Sequence, residues 1–320
     1  MARKMITDFG NRQARRMQAD REELAERLAR AMPRDGTTYP QPGVNVARFD
    51  RPTELHHGFY EPCFCVIAQG AKTISLGGDV FRYDPAHYMI ATVGVPMTAQ
   101  VVEASPERPY LSLRLELDPT VVASVMVESG LERPAGNGGA RAAAGEACRA
   151  VDVSALDAEL LDATLRLVRL IDSPGEYRAL APLVVREIVY RLLAGAQGGR
   201  MRHLATSGGQ AHRMARAVAR LRENFDKPLR IESVARELRM SASGFHAQFK
   251  AVTNLSPLQY QKHLRLQEAR RLMLGEHLDA AEAGYRVGYE DPAYFSRDYK
   301  RHFGEPPMRD VERLRDLATA

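Results

Sequence analysis

The sequence has no tryptophan, only three cysteines and no long apolar run. Three cysteines in 320 residues cannot form a disulfide framework, so the reducing cytosol is the expected compartment. No stretch approaches the roughly 20 apolar residues that cross a bilayer. Residues 1–20 are basic and polar, without the apolar segment of a secretory signal. We therefore expect neither a membrane protein nor a secreted scaffold.

Sequence signatures of several enzyme classes are also missing. No G-x-S-x-G, Walker A or G-x-G-x-x-G pattern appears, so nucleotide hydrolysis and dinucleotide chemistry have no support. The H-x-H…E motif of cupin enzymes and zinc-finger ligand spacing are absent as well. The sequence thus predicts a protein that is not an enzyme, with no catalytic residues, no cofactor and no metal site.

Positive charge is concentrated in the last third of the chain. Residues 201–320 contain 21 Lys and Arg against 15 Asp and Glu, and six of the nine histidines, whereas residues 1–200 are close to neutral. A basic segment attached to a neutral one is typical of a module that binds a polyanion and is fused to a second domain. The length also favours two domains.

The first third changes from a helical pattern to short strands. Residues 9–31 have helical periodicity, which Pro33 and Gly36 end. Between about 44 and 117, several short strands are separated by Gly and Pro. Among them, 73–76 and 79–83 flank the turn Gly77-Gly78. Residues 111–117 alternate strictly between apolar and polar, which indicates a half-buried antiparallel strand. The pattern predicts a small antiparallel barrel or sandwich.

Helical patterning resumes at Pro119 and breaks at 133–139. Two helices are then predicted, over 156–171 and 177–193, and they either pack on the barrel or pair with a second subunit. The glycine-rich stretch that follows is the best linker candidate. The predicted organisation is an N-terminal arm (1–40), a β domain (41–120), a helical dimerisation or sensor region (121–197), a linker (198–210) and a DNA-binding domain (211–320).

The DNA-binding assignment depends on a unit of helix, turn and helix that occurs twice. In the first unit, a helix over 231–238 carries small Ala235 where another helix must approach closely. After the turn, Ser241 is placed to cap the next helix by accepting a bond from a backbone N–H. Phe245 and Phe249, four residues apart, anchor that helix to a core.

The same arrangement returns about fifty residues later. A helix over 280–287 precedes a turn, and Asp291 with Pro292 provides a favoured helix start. Between the units, Ser256 starts a helix over 257–274, whose length is about 27 Å at 1.5 Å per residue. Two recognition helices held at a separation of this order can enter successive major-groove segments, which lie about 34 Å apart.

A series of short motifs runs in order through this region. They are Met240-Ser241, Phe245-His246, Phe249-Lys250, Ser256-Pro257-Leu258, Leu264-Arg265, Glu268-Ala269-Arg270, Val287-Gly288-Tyr289, Phe295-Ser296-Arg297, Lys300-Arg301-His302-Phe303-Gly304 and Pro306-Pro307. On these motifs, residues 211–308 closely resemble the DNA-binding domain of AraC/XylS-type bacterial transcription regulators. The resemblance implies an all-α C-terminal domain with two helix-turn-helix units joined by a long helix.

The N-terminal half carries a weaker resemblance. Glu61-Pro62, Gln69-Gly70, Tyr83-Asp84-Pro85 and the segment 103–118 resemble the N-terminal domain of one subgroup of these regulators. The resemblance implies a cupin-like α+β domain that senses a small molecule or mediates dimerisation. One departure from the family is Gly284, where members usually have Ala, so we expect a less rigid second unit.

The predicted DNA-contacting residues lie on the two recognition helices and the helix between them. They are Ser241, Ser243, His246, Gln248, Lys250, Lys262, Arg265, Pro292, Ser296, Arg297, Lys300 and Arg301. Arg297 is the better candidate for direct readout, because bidentate contacts to bases need Arg, Lys, Asn or Gln. Lys250, Lys262 and Arg265 fit phosphate contacts and plain surface equally well. For His246, a packed or solvated histidine is favoured over a base-reading one.

Cys63 and Cys65 are candidates for metal binding or electrophile sensing, as well as for buried structural thiols. Strand alternation places them on one face, with His56, His57 and His87 near in sequence. Buried structural thiols are the favoured interpretation, while electrophile sensing and metal binding stay open.

The functional hypothesis is a cytoplasmic, sequence-specific transcription regulator that binds double-stranded promoter DNA. Its expected partners are a second copy in a homodimer, a small-molecule effector of residues 1–197, and RNA polymerase if it is an activator. The rival hypothesis is a cupin-type enzyme, or a thiol-based repair or sensor protein, with an appended DNA-binding domain. In a third hypothesis the N-terminal half only dimerises.

Overall fold

The chain forms two compact units, Met1–His212 and Arg213–Ala320. The computed structural model describes the backbone of residues 2–131, 149–205 and 210–319, and the side chains of 12–131, 149–202, 204–205 and 213–316. The predicted break at 133–139 lies outside the described residues. No helix in the described ranges is long and apolar enough to span a bilayer.

The described residues of the first unit form two antiparallel sheets and five helices. The strands are β1 (Gly36–Gln41), β2 (Val44–Phe49), β3 (His56–Tyr60), β4 (Cys63–Gln69), β5 (Ala71–Leu76), β6 (Asp79–Tyr83), β7 (His87–Ala91), β8 (Val95–Glu103), β9 (Tyr110–Glu116) and β10 (Val151–Ala155). The helices are α1 (Ala2–Ala31), α2 (Pro119–Glu128), α3 (Ala158–Arg169), α4 (Pro174–Ala194) and α5 (Gly198–Ala205). One sheet has the order β1-β2-β9-β4-β7-β10 and the other β3-β8-β5-β6.

The sequence pattern identified the hairpin and the alternating strand correctly. β5 pairs with β6 across Gly77 and Gly78, whose φ angles of 56° and 105° favour glycine. In β9, Leu111 and Leu113 are buried in the main core of the unit, while Arg114 faces the other side of the sheet. The predicted small antiparallel β domain with helices is confirmed.

Helices cover one face of the six-stranded sheet. Leu24 and Leu28 of α1 are buried with Phe64 of β4 and Leu161 of α3 in one core. Apolar burial of this kind contributes roughly 25 cal/mol per Å². The two helices predicted after residue 150 are present as α3 and α4.

Three elements differ from the expectation. Strand β1 precedes the predicted start of the strands at about residue 44, and it pairs with β2. Strand β10 was missed, and it lies at the edge of the larger sheet, where it pairs with β7 over five residues. Part of the expected linker is helical, because α5 places Met201 and Leu204 on one face where both are buried.

The second unit is entirely helical over its described residues. Its helices are α6 (Gln210–Glu223), α7 (Ile231–Glu237), α8 (Ala242–Thr253), α9 (Pro257–Gly275), α10 (Ala280–Arg286), α11 (Pro292–Phe303) and α12 (Pro307–Thr319). Helices α7 and α8 form the first helix-turn-helix unit, and α10 and α11 form the second. Gly284 has a packing role, since a Cβ there would lie 3.0 Å from Cγ of Phe295.

Candidate nucleic-acid interface

The first recognition helix, α8, is fixed by its caps and its buried aromatic residues. Ser241 is the N-cap, and its Oγ accepts a bond from the Gly244 N–H at 3.1 Å. Asn254 ends the helix in the left-handed conformation. Phe245 and Phe249 are buried with ring centroids 5.5 Å apart. The opposite face of α8 is therefore turned to solvent.

Three of the predicted residues on α8 share that solvent face. Ser243, His246 and Lys250 are exposed and follow helical spacing. Gln248 lies apart from them: it is half-buried, and its Oε1 is shielded from solvent without a hydrogen-bond donor among the described residues. Ser241 serves as the cap described above.

The second recognition helix, α11, repeats this construction. Asp291 is the N-cap and accepts from the Ala293 N–H at 2.8 Å, and Pro292 occupies the first turn. Phe295 and Tyr299 are buried with ring centroids 5.6 Å apart. The aromatic residues are four apart in both helices, so both are anchored through corresponding faces.

The outward face of α11 carries two exposed cations, Arg297 and Lys300. Neither has a carboxylate within ion-pair distance in the part of the chain that the structure describes. The Arg297 guanidinium lies 5.3 Å from the centroid of the Tyr294 ring. Ser296 is half-buried beside them. These cations are available to a polyanion.

Two other predicted residues form ion pairs with the same buried carboxylate. Lys262 of α9 places Nζ 2.8 Å from Oδ2 of Asp298, and Arg301 of α11 pairs with Oδ1 of the same side chain. Asp298 is 3% exposed. Burial and the neighbouring Asp298 raise the pKa of Tyr289, whose hydroxyl donates to Oδ2 at 3.4 Å. Lys262 and Asp298 thus attach α11 to α9.

Arg265 binds the backbone of its own domain. Its guanidinium donates to the carbonyl oxygens of Phe225 at 2.6 Å and Gly288 at 2.7 Å, and to those of Asp226 and Lys227 at 3.1 Å. Gly288 has φ of 92°, and a Cβ there would meet the Asp226 oxygen at 1.9 Å. Arg265 therefore holds the turn after α6 against the turn of the second helix-turn-helix unit.

A second buried carboxylate was not singled out from the sequence. Asp310 of α12 is fully buried and accepts from Arg270 at 2.7 Å, from the Tyr299 hydroxyl at 2.8 Å and from Arg313 at 2.9 Å. Burial and the bond to Asp310 raise the pKa of Tyr299, so its hydroxyl remains a donor. Arg270 belongs to α9 and Tyr299 to α11, so Asp310 of α12 holds α11 and α12 against the connecting helix.

Helix α9 connects the two units. It begins with a capping box in which the Ser256 hydroxyl accepts from the Gln259 N–H and the Gln259 side chain accepts from the Ser256 N–H. At 1.5 Å per residue its 19 residues span about 28 Å. The helix packs against α8 and also against α10, α11 and α12.

The two cysteines are buried, as the favoured interpretation of the sequence predicted. Cys63 is 1% and Cys65 5% exposed, and their Sγ atoms lie 3.8 Å apart. Within the described ranges, no three His, Cys, Asp or Glu side chains converge in a group that could hold a metal ion.

Comparison with known families decides the assignment. Residues 40–200 match the model of the AraC-type transcriptional regulator N-terminus, and residues 234–313 match that of a helix-turn-helix domain. The chain belongs to the AraC family of transcription regulators. This confirms the family predicted from the sequence motifs.

Curated AraC-family relatives match part of the chain. The HTH-type transcriptional activator RhaS of Salmonella schwarzengrund (strain CVM19633) is 30% identical over 158 residues, which are 49% of this chain and 56% of RhaS. RhaS of Escherichia coli O1:K1 / APEC is 29% identical over 159 residues, with the same coverage. The chain thus spans about half the length of the curated relatives it matches.

Solved structures share the fold over most of the AraC-family chain. An apo variant of ToxT from Vibrio cholerae strain SCE256 has a TM-score of 0.54 and 10% identity, and the match covers 87% of this chain and 98% of ToxT. Wild-type ToxT bound to an unsaturated fatty acid has a TM-score of 0.52 and 10% identity, covering 88% and 97%. At this identity the likeness concerns the fold.

Proposed function

We propose that the protein is a sequence-specific DNA-binding transcription regulator. The observation that carries the proposal is the pair of similar recognition helices, α8 and α11, each anchored by buried aromatics and joined by the connecting helix α9. Both helices expose cations that have no carboxylate partner among the described residues, namely Lys250, Arg297 and Lys300. Such cations supply phosphate and base contacts in DNA complexes.

The residues keep different roles within this proposal. Arg297 contacts base edges in one half-site, with Ser296 and Pro292 beside it. Lys250 and Lys300 contact phosphates, and Ser243 with His246 lies along the first half-site. Lys262, Arg265 and Arg301 support the interface through their contacts within the domain, and Ser241 supports it as a helix cap.

The proposal is tested by fluorescence anisotropy on a duplex recovered by footprinting genomic DNA. Arg297→Ala should cost about 1 to 3 kcal/mol on that duplex and alter the preference at one base pair. Lys250→Ala should weaken specific and scrambled duplexes equally. The control is Arg271→Ala, because that exposed arginine is already paired with Glu268 and Glu276. If Arg297→Ala binds both duplexes as the parent does, the assignment is wrong.

We also propose that the first unit binds a small-molecule effector or dimerises, within the boundaries predicted for residues 1–197. The fatty-acid complex of ToxT, a protein of the same fold, supports an effector. An effector acts only if it binds one conformation more tightly than the other. An unsaturated fatty acid should therefore change the affinity for the footprinted duplex. An unchanged affinity, together with an unchanged melting temperature, would exclude unsaturated fatty acids as the effector. We further propose that the protein acts in the cytoplasm as a homodimer. If it is an activator, it also contacts RNA polymerase.

A further inference from the structure

The start of the second recognition helix carries an exposed aromatic residue, Tyr294. Phe295 and Tyr299 of the same helix are fully buried, whereas Tyr294 is 52% exposed. Its hydroxyl has no hydrogen-bond partner in the described part of the chain. A single exposed aromatic needs no explanation by itself. The neighbour of this ring, however, is the arginine that is the best candidate for base readout.

Tyr294 and Arg297 are in contact along the helix. They are three residues apart, so their side chains lie on the same face of α11. The guanidinium carbon of Arg297 lies over the ring, 5.3 Å from its centroid, which is within cation–π distance. Arg297 forms no ion pair or hydrogen bond with any residue that the structure describes. The ring of Tyr294 is therefore what holds the guanidinium within the domain.

This contact leaves the donors of Arg297 available. A guanidinium that lies over a ring uses its flat face, and its N–H groups point outward in the plane of the group. Those N–H groups are the donors that form a bidentate contact with the O6 and N7 atoms of guanine. A long side chain also loses rotamer freedom when it is immobilised at an interface. The ring restricts Arg297 in advance, so less freedom is lost when DNA binds.

The backbone that carries the ring is fixed on both sides. Asp291 caps the helix, and Pro292 restricts the first turn. The residue after Tyr294 is the buried Phe295, whose ring packs edge-to-face on Tyr289 with centroids 5.3 Å apart. Tyr294 is thus mounted on a rigid helix start, which makes it suitable for orienting a flexible neighbour.

The first recognition helix lacks this pair. The N-caps and the anchoring aromatics of α8 and α11 are offset by the same distance in sequence, from 241 to 291. By this offset, Gly244 and Ala247 stand in α8 where α11 has Tyr294 and Arg297. Neither small side chain can reach a base edge with a bidentate donor. The ring and the arginine are therefore a feature of one half of the interface.

We propose that Tyr294 is a positioning residue for base readout in the half-site that α11 binds. Its ring holds the guanidinium of Arg297 at the helix start, with the donor edge directed away from the ring and free for a base. The inference rests on the proposed function, because it requires Arg297 to contact base edges. It adds a residue that determines specificity without carrying a charge.

The test compares variants by fluorescence anisotropy on the footprinted duplex and on duplexes with one base pair changed. Tyr294→Leu should reduce discrimination about two- to fivefold at the base pair that Arg297 reads, because an apolar side chain without a π face replaces the ring. Tyr294→Phe keeps the ring and should keep the discrimination. In an Arg297→Ala background, Tyr294→Leu should have no further effect, because the role acts through Arg297.

Tyr285→Leu is the matched control. Tyr285 of α10 is 57% exposed and has no arginine over its ring among the described residues, so its replacement should leave discrimination unchanged. Tyr294→Met serves as a second variant if Tyr294→Leu lowers the melting temperature. Discrimination equal to that of the parent in both variants would overturn the positioning role, and so would an equal loss in the Arg297→Ala background.

The same measurements separate this inference from the proposed function. If Arg297→Ala loses discrimination while Tyr294→Leu and Tyr294→Met retain it, the positioning role is wrong and base readout by Arg297 stands. If Arg297→Ala discriminates between the duplexes as the parent does, base readout by Arg297 is wrong, and the role of Tyr294 is wrong with it.

Discussion

Two arginines of the second unit show how surroundings determine the role of a residue. Arg297 is exposed without a carboxylate partner among the described residues, and Arg265 donates to four backbone carbonyls. The sequence offered both as DNA contacts, because each is a basic residue in a family motif. It could not separate them, since the acceptors of Arg265 come from turns that are remote in sequence. The anchoring aromatics Phe245 and Phe249, by contrast, were identified from their spacing alone.

Arg265→Met should destabilise the second unit by about 2 to 3 kcal/mol, because charge-assisted bonds are lost and carbonyls are left without a donor. Arg297→Met should change stability by no more than about 0.5 kcal/mol, as expected at an exposed site. Urea denaturation monitored by circular dichroism measures both. Equal midpoints for the two variants would show that the carbonyl contacts contribute little.

His263 of α9 makes stability depend on pH. Burial, with the charge of Lys262, lowers the pKa of His263 to about 4 in the folded protein. The unfolded chain, with a pKa of about 6.5, binds the proton first, so stability should fall as pH decreases from 6.5 to 4. We expect a loss of roughly 1 to 2 kcal/mol between pH 7 and pH 4.5, reduced by residual solvent contact. His263→Phe should flatten this part of the urea-midpoint profile, and an unchanged slope would contradict the assignment.

At the scale of elements, the sequence predicted what local periodicity encodes and missed what distant partners determine. The caps of α8 and α11 and the start of α9 follow from Ser241, Asp291 and Ser256. Strand β10 has only five residues, and its burial depends on pairing with β7, about sixty residues earlier in the chain. The helix α5 lies in a glycine-rich stretch whose composition favours a linker, but Met201 is buried there.

The length of α9 gives a prediction about the DNA. A connection of about 28 Å holds the recognition helices at a fixed separation. Five base pairs inserted between the half-sites should reduce affinity to that of a single half-site, because the second half-site turns to the other face of the duplex. Ten inserted base pairs should not restore binding, because α9 is too short for both recognition helices to reach their half-sites. Anisotropy on the three duplexes checks this, and recovery with ten base pairs would indicate that separate chains read the two half-sites.

At the scale of the whole molecule, the uneven charge distribution determines how binding responds to salt. The last 120 residues hold the positive excess, and Lys250, Arg297 and Lys300 lack carboxylate partners among the described residues. With at least two phosphates neutralised, by Lys250 and Lys300, the slope of log K against log salt should be about −2 or steeper. Lys250→Ala should reduce its magnitude by about 1. A slope near zero from titrations at several salt concentrations would contradict the proposed interface.

The two buried aspartates of the second unit have a consequence for protein engineering. Asp298 and Asp310 each take a cation from the connecting helix, Lys262 for one and Arg270 for the other. A recognition helix transplanted into another scaffold would bring an acidic group that its new host leaves uncompensated. Altering the specificity of this regulator by exchanging α11 therefore requires transferring Lys262 of α9 together with it, because Lys262 compensates the charge of Asp298.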